Sequence, residues 1–172
     1  MSQKYKILTA ATVIVIALVG YYVYGQYNLS DTQEGLQLSL KHETAANGYL
    51  NQANTYESKS DYANAIIMRQ KASDEISNAL EDDNNVLNHA NGVYKDYLNN
   101  DILLLQTTSK LINFQIYLDH DEAHTLNPGQ ETVTPNQLNP YINQLEGNIT
   151  VYKNNEDKII AANHDQFKFL NQ

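Results

Sequence analysis

Residues 84–122 read NNVLNHANGVYKDYLNNDILLLQTTSKLINFQIYLDHDE and carry the most regular apolar pattern of the chain. Apolar side chains recur at alternating spacings of three and four, which places them on one face of an α-helix. They are Leu87, Ala90, Tyr94, Tyr97, Leu104, Leu111 and Leu118. The pattern predicts a long amphipathic helix that packs in a helical bundle or coiled coil.

Two helices are predicted before this one, at approximately 31–57 and 61–81. The second has a clear stripe with helical period, and Ser60 or Asp61 can cap its start. Residues 81–85 are all polar, and acidic side chains at a helix C-terminus oppose the helix dipole. We therefore predict a break near residue 83. A break at 99–101 is the alternative, which would give helices at 61–98 and 101–124.

A last helix is predicted at approximately 139–170, and all three prolines lie between Thr125 and Pro140. Asn139 followed by Pro140 is typical of an N-cap and a first helical residue. No segment alternates polar and apolar residues long enough to predict a strand. The expected fold class is all-α, an antiparallel bundle of about four helices.

An apolar run without charges, ILTAATVIVIALVGYYVY, occupies residues 7–24. A helix of that length rises about 27 Å, close to the ~30 Å hydrocarbon core of a bilayer. It is therefore predicted to be a single transmembrane helix that acts as a signal anchor. Lys4 and Lys6 precede the run, and the next cation is Lys41, which predicts that residues 1–6 are cytoplasmic and 25–172 extracytoplasmic. A cleaved signal peptide and a pilin-like leader are the alternatives, and both also export the domain.

Composition excludes some partners and some kinds of site. A net charge of −9 argues against nucleic acid, because phosphate binding needs clustered Lys and Arg. The chain has no cysteine, so it has no disulfide framework. Sequons at Asn28 and Asn148 matter only in a host that glycosylates exported proteins.

The segment 49–77 has small and aromatic residues at Ala53, Tyr56, Tyr62, Ala65 and Ala72. In this spacing it resembles one tetratricopeptide repeat, which implies two closely packed antiparallel helices. The sequence departs from that family at two positions, Arg69 and Ser77, and contains no second copy. A generic alanine-rich hairpin within the bundle is the alternative interpretation.

The string DHDEAH at 119–124 is the one cluster with metal-ligand spacing. If it is helical, His120 and His124 share a face and could bind one metal ion. The string is similar to the zinc-protease motif, with Asp121 in place of its glutamate. The alternative is a solvated helix end, where histidine suits the dipole.

Four polar residues fall on otherwise apolar stripes, where they could set helix register or face a ligand or partner. They are Asp101, Gln115, Glu156 and Asn163. The sequence places no catalytic residues and no cofactor site. It predicts a non-catalytic binding or assembly subunit of an envelope complex, with a protein partner or a second copy of itself. The alternatives are an extracytoplasmic sensor that binds a small solute or metal and, more remotely, a metal-dependent hydrolase.

Overall fold

A computed structural model describes the backbone of residues 3–126 and 135–171 and the side chains of residues 29–126 and 137–170. The elements within these ranges are all helical. They are α1 (Gln3–Glu57), α2 (Tyr62–Leu87), α3 (Gly92–Glu122), α4 (Pro135–Ala162) and a short 3-10 helix, Lys168–Asn171. The predicted all-α bundle of four helices is thereby confirmed.

Helix α1 is one continuous helix of 55 residues. It contains both the predicted helix at 31–57 and the apolar run at 7–24, without a break between them. Where side chains are described, no helix combines the length and apolar composition needed to cross a bilayer. That finding gives no support to the predicted span, whose own side chains lie outside the described residues, so the span stays a prediction.

Helices α1 and α2 form an antiparallel hairpin around a four-residue turn. The Asp61 carboxylate accepts a hydrogen bond from the Asn64 amide at 3.3 Å and so caps α2, as expected for one of the two predicted caps. Ala53, Ala65 and Ala72 are fully buried. These small residues let the helices pack closely, as the resemblance to a tetratricopeptide hairpin implied.

The predicted break near residue 83 is wrong, and so is its alternative at 99–101. Helix α2 continues through the polar run to Leu87, because Val86 near its end packs in the apolar core. Asp83 of that run also points into the bundle and is fully buried. The break lies between Leu87 and Gly92. Gly92 has φ = 53°, a left-handed conformation that favours glycine, and Asn91 before it is extended. Helix α3 then passes through 99–101 and ends at Glu122, the predicted end.

The last helix is also displaced from the predicted range of 139–170. It is described from Pro135 and carries Pro140 inside, where the ring removes one backbone donor. It ends at Ala162, and the Asn163 side chain donates to the carbonyl oxygen of Ile159 at 2.9 Å. The following residues turn back on the bundle and bury Phe167 between Tyr94 and Tyr97, at centroid distances of 5.3 Å.

The apolar core is divided into two clusters along the bundle. The first lies at the end from which α1 extends toward residue 3, and its buried members are Leu36, Val86, Tyr94, Tyr97, Leu98 and Phe167. The second lies farther along the bundle and consists of Ala46, Ala72, Ile76, Ala79, Leu105 and Ile112. Between the two clusters, each of the four helices contributes an acidic residue.

Candidate functional site

The histidines predicted to bind a metal do not share a helical face. His120 is in the last turn of α3, and its Nδ1 lies 2.9 Å from the hydroxyl of Thr125. His124 lies beyond the helix end, with φ = 55°. No group of three or more His, Cys, Asp or Glu side chains in the described residues has an arrangement that could hold a metal ion. A metal at His120 and His124 therefore stays a prediction without support from these contacts.

The structure instead brings together four acidic side chains, one from each helix, which we call the carboxylate layer. It consists of Glu43 from α1, Asp83 from α2, Asp101 from α3 and Glu156 from α4. It separates the two apolar clusters described above. Each of the four residues lies on the apolar face of its own helix. Packing of these faces against one another places the four carboxyl groups at the same height along the bundle.

Three members of the layer are shielded from water, and Glu43 is partly buried. Asp83 is 0 % exposed, Asp101 is 1 % exposed and Glu156 is 8 % exposed. The Asp83 carboxyl lies beside Ser39 and the Asp101 carboxyl, and no cation of the described residues pairs with either aspartate. A buried carboxylate without a partner or counter-charge is strongly unfavourable, and such a group takes up a proton instead.

The surroundings of the layer raise the pKa of all four carboxyl groups. Burial, followed by the charges of Asp83 and Glu156, raises the pKa of Glu43 to about 8. Burial also raises the pKa of Glu156 to about 7 and that of Asp83 to about 6. The pKa of Asp101 is raised well above its ordinary value by burial and by the three other carboxyls. At neutral pH the layer therefore holds protons that the same residues would release in water.

Helix α4 meets α3 through polar contacts at this level. The Asn100 amide donates to the Tyr152 carbonyl oxygen at 2.8 Å and to Glu156 Oε1 at 3.1 Å. The Asn155 amide donates to the Asn100 side-chain oxygen at 3.4 Å. These bonds place the Glu156 carboxyl beside Asp101 and connect the position of α4 to the charge state of the layer.

A second buried polar cluster lies beyond the second apolar cluster and contains the only arginine of the chain. The Arg69 guanidinium is 2 % exposed and pairs with the buried Asp119 carboxylate of α3. Its Nη2 also lies 2.5 Å from Glu57 Oε2 at the end of α1. This cluster joins α1, α2 and α3, and its one guanidinium faces two carboxylates.

Two cavities lie at the same end as the first apolar cluster. One, of about 350 Å³, is lined by residues 161–166, and the other, of about 220 Å³, is lined by Asp31, Thr32, Asn85, Val86 and His89. Neither is lined by a member of the carboxylate layer.

Sequence reasoning identified half of the layer. Asp101 and Glu156 are polar residues on apolar stripes of the sequence, whereas Asp83 falls at the predicted helix break and Glu43 is not among the polar residues named from the sequence. Their spacing contained a usable signal. Asp83 stands four residues after Ala79 and three before Val86, and Glu43 stands seven residues after Leu36, so both continue a buried face.

Comparison with known protein families, curated proteins and solved structures finds no match to this chain. The tetratricopeptide resemblance at 49–77 therefore stays local to one helical hairpin. Function must be argued from the geometry of the chain itself.

Proposed function

We propose that the protein is a membrane-anchored, extracytoplasmic helical bundle that acts by binding or assembly, without catalysis. The observation that carries the proposal is the continuity of α1. One uninterrupted helix leads from the charge-free run at 7–24 into the bundle core at Leu36, Ala46 and Ala53. A rigid connection of this kind would hold the bundle at a fixed distance and orientation from the bilayer.

Because the interior of the bundle is occupied by contacts between its own helices, a partner is expected to bind at the outer surface. The helices are joined by apolar side chains, the carboxylate layer and the Arg69 cluster, and the two cavities described lie at one end of the bundle. Several large apolar side chains are exposed on the outside. They are Leu38, Ile67, Leu103, Tyr141 and Val151, each at least 44 % exposed. A partner protein or a second copy of the chain could cover some of them.

The anchoring part of the proposal can be tested by labelling, since the chain has no cysteine of its own. Single variants Ser2→Cys and Lys59→Cys place a thiol before the apolar run and in the exposed turn after α1. With a membrane-impermeant maleimide, intact cells should label Lys59→Cys, and Ser2→Cys should react only after lysis. The reverse pattern, or protein that does not sediment with membranes, would refute the anchoring.

The assembly part requires a separate measurement. The full chain, extracted in mild detergent after chemical cross-linking, should migrate above the mass of one chain, 19.5 kDa. Replacing the exposed apolar residues one at a time by serine should abolish the larger species at one or more positions while the melting temperature is unchanged. A chain that stays monomeric before and after cross-linking would contradict the proposal.

A further inference from the structure

We propose that the carboxylate layer is a proton-operated lock, which holds α4 on the other three helices while protons occupy the layer and releases α4 when they leave. The inference is independent of the membrane anchor and of any partner. It concerns only how the four helices are held together.

Helix α4 is the element that depends most on the layer. Among its described side chains, residues 137–162, only Leu138 and Glu156 are buried. The other apolar side chains that α4 packs on the first apolar cluster, Ile159 and Ile160, are only partly buried, so a carboxyl group is one of its two buried side chains. Helix α1 contributes two buried apolar residues to the two core clusters, α2 contributes four and α3 five, so these three helices have other contacts that hold them together.

A charge at Glu156 would have no adequate counter-charge. The titratable and charged groups that face the layer or border it are His42 and Glu43 from α1, Asp82 and Asp83 from α2, Tyr97 and Asp101 from α3, and Lys153, Glu156 and Asp157 from α4. His42 contacts Glu75 and Asp82, and Lys153, the one lysine in this set, lies exposed at the surface. Most of the remaining groups are acids, so losing protons adds mutual repulsion.

The direction of the pH effect follows from the raised pKa values. Glu156 and Glu43 have folded-state pKa values of about 7 and 8, against ordinary values of 4.5. The docked state binds protons more tightly than the undocked state. The contribution of the layer to the docking of α4 is therefore fully present below about pH 4.5, and it is lost as the pH rises through 7 to 8. Each proton held only by the docked state changes the docking constant by about tenfold per pH unit.

The lock can be tested by measuring the distance between α2 and α4. Ser77 and Asn154 are exposed on these helices, and the variant pair Ser77→Cys and Asn154→Cys can carry spin labels on the full chain in detergent micelles. At pH 5 the distance distribution should be narrow. At pH 8.5 a longer and broader population should appear. A second pair, Ser77→Cys with Lys110→Cys, reports on α2 and α3 and should not change.

Two variants separate the lock from a general effect of pH. In the α2–α4 pair, Glu156→Gln should keep the narrow distribution at pH 8.5, whereas Asp157→Asn, which removes the exposed neighbouring charge, should open as the wild type does. If Glu156→Gln does not fold, Asp101→Asn should suppress the opening in its place.

Three results would overturn the inference. The first is an α2–α4 distance that does not change between pH 5 and 8.5. The second is a Glu156→Gln variant that opens as much as the wild type. The third is closure of the wild type at pH 8.5 by added Mn²⁺ or Ca²⁺, which would make the layer a cation site rather than a lock operated by protons.

Discussion

Replacing Arg69 by methionine tests whether the buried ion pair stabilises the bundle by neutralising Asp119. The guanidinium and the Asp119 carboxylate are each 2 % exposed, so removing Arg69 leaves an uncompensated buried charge. Breaking a buried pair in this way costs about 3–5 kcal/mol of unfolding free energy. Glu57 adds little to that figure, because its side chain is 47 % exposed and is screened by solvent.

The assay is urea unfolding of the full chain followed by far-ultraviolet circular dichroism, at pH 7 and again at pH 5. Arg69→Met should lose about 3–5 kcal/mol relative to wild type at pH 7. The loss should be smaller at pH 5, because the unpaired Asp119 carboxyl can then take up a proton and become neutral.

Two further variants complete the experiment. Lys110→Met removes an exposed cation from α3 and should change the unfolding free energy by less than about 0.5 kcal/mol. The double variant Arg69→Met with Asp119→Leu removes both charges and should recover most of the loss. The reasoning is refuted if Arg69→Met costs less than about 1 kcal/mol, or if the double variant is as unstable as the single one.

Three other predictions concern helix contacts, the aromatic core and pH. A Cβ at Gly35 would lie 2.0 Å from Val86 Cγ2, whereas one at Gly48 would meet nothing within 4 Å. In thermal melts Gly35→Ala should therefore destabilise the protein by about 1–3 kcal/mol, and Gly48→Ala should stabilise it by about 0.5–1 kcal/mol. Equal effects of the two variants would contradict the close packing of α1 on α2 at Gly35. Phe167→Ala should lower the unfolding free energy in urea by about 3–5 kcal/mol, since the Phe167 ring is 1 % exposed between two tyrosines. A decrease of less than about 1 kcal/mol would show that the C-terminal turn does not close the core. The unfolding free energy should decrease from pH 5 to pH 8, by about 1.4 kcal/mol per pH unit for each proton that the folded state retains. Asp101→Asn should make this decrease smaller. Asp96→Asn, on the exposed face of α3, should leave the decrease unchanged.

The periodicity of the chain determined its architecture. Four amphipathic segments were sufficient to predict an all-α bundle, the apolar pattern gave the end of α3 at Glu122, and local residue preferences gave Ser60 or Asp61 as the cap of α2. Apolar spacing repeats every turn, and capping involves only neighbouring residues, so both can be read along one segment.

Helix boundaries depended on contacts that no single segment contains. The run at 81–85 has the composition of a break, yet α2 continues through it because Val86 in the next turn packs in the first apolar cluster. A dipole effect of a few tenths of a kcal/mol is smaller than the contribution of continued packing by Val86. In the same way, the last helix ends early because a turn after Ala162 brings Phe167 back onto Tyr94 and Tyr97.

The sequence by itself determined the class of fold, the acidic charge that argues against nucleic acid, and the apolar run at 7–24 that predicts an anchor. Only the tertiary structure brought Glu43, Asp83, Asp101 and Glu156 to one level and separated His124 from the helical face of His120. The physical reason is that helical period fixes which face a side chain occupies, whereas the pairing of helices fixes what lies opposite. An acidic residue on an apolar stripe has no evident role until its three counterparts are placed around it.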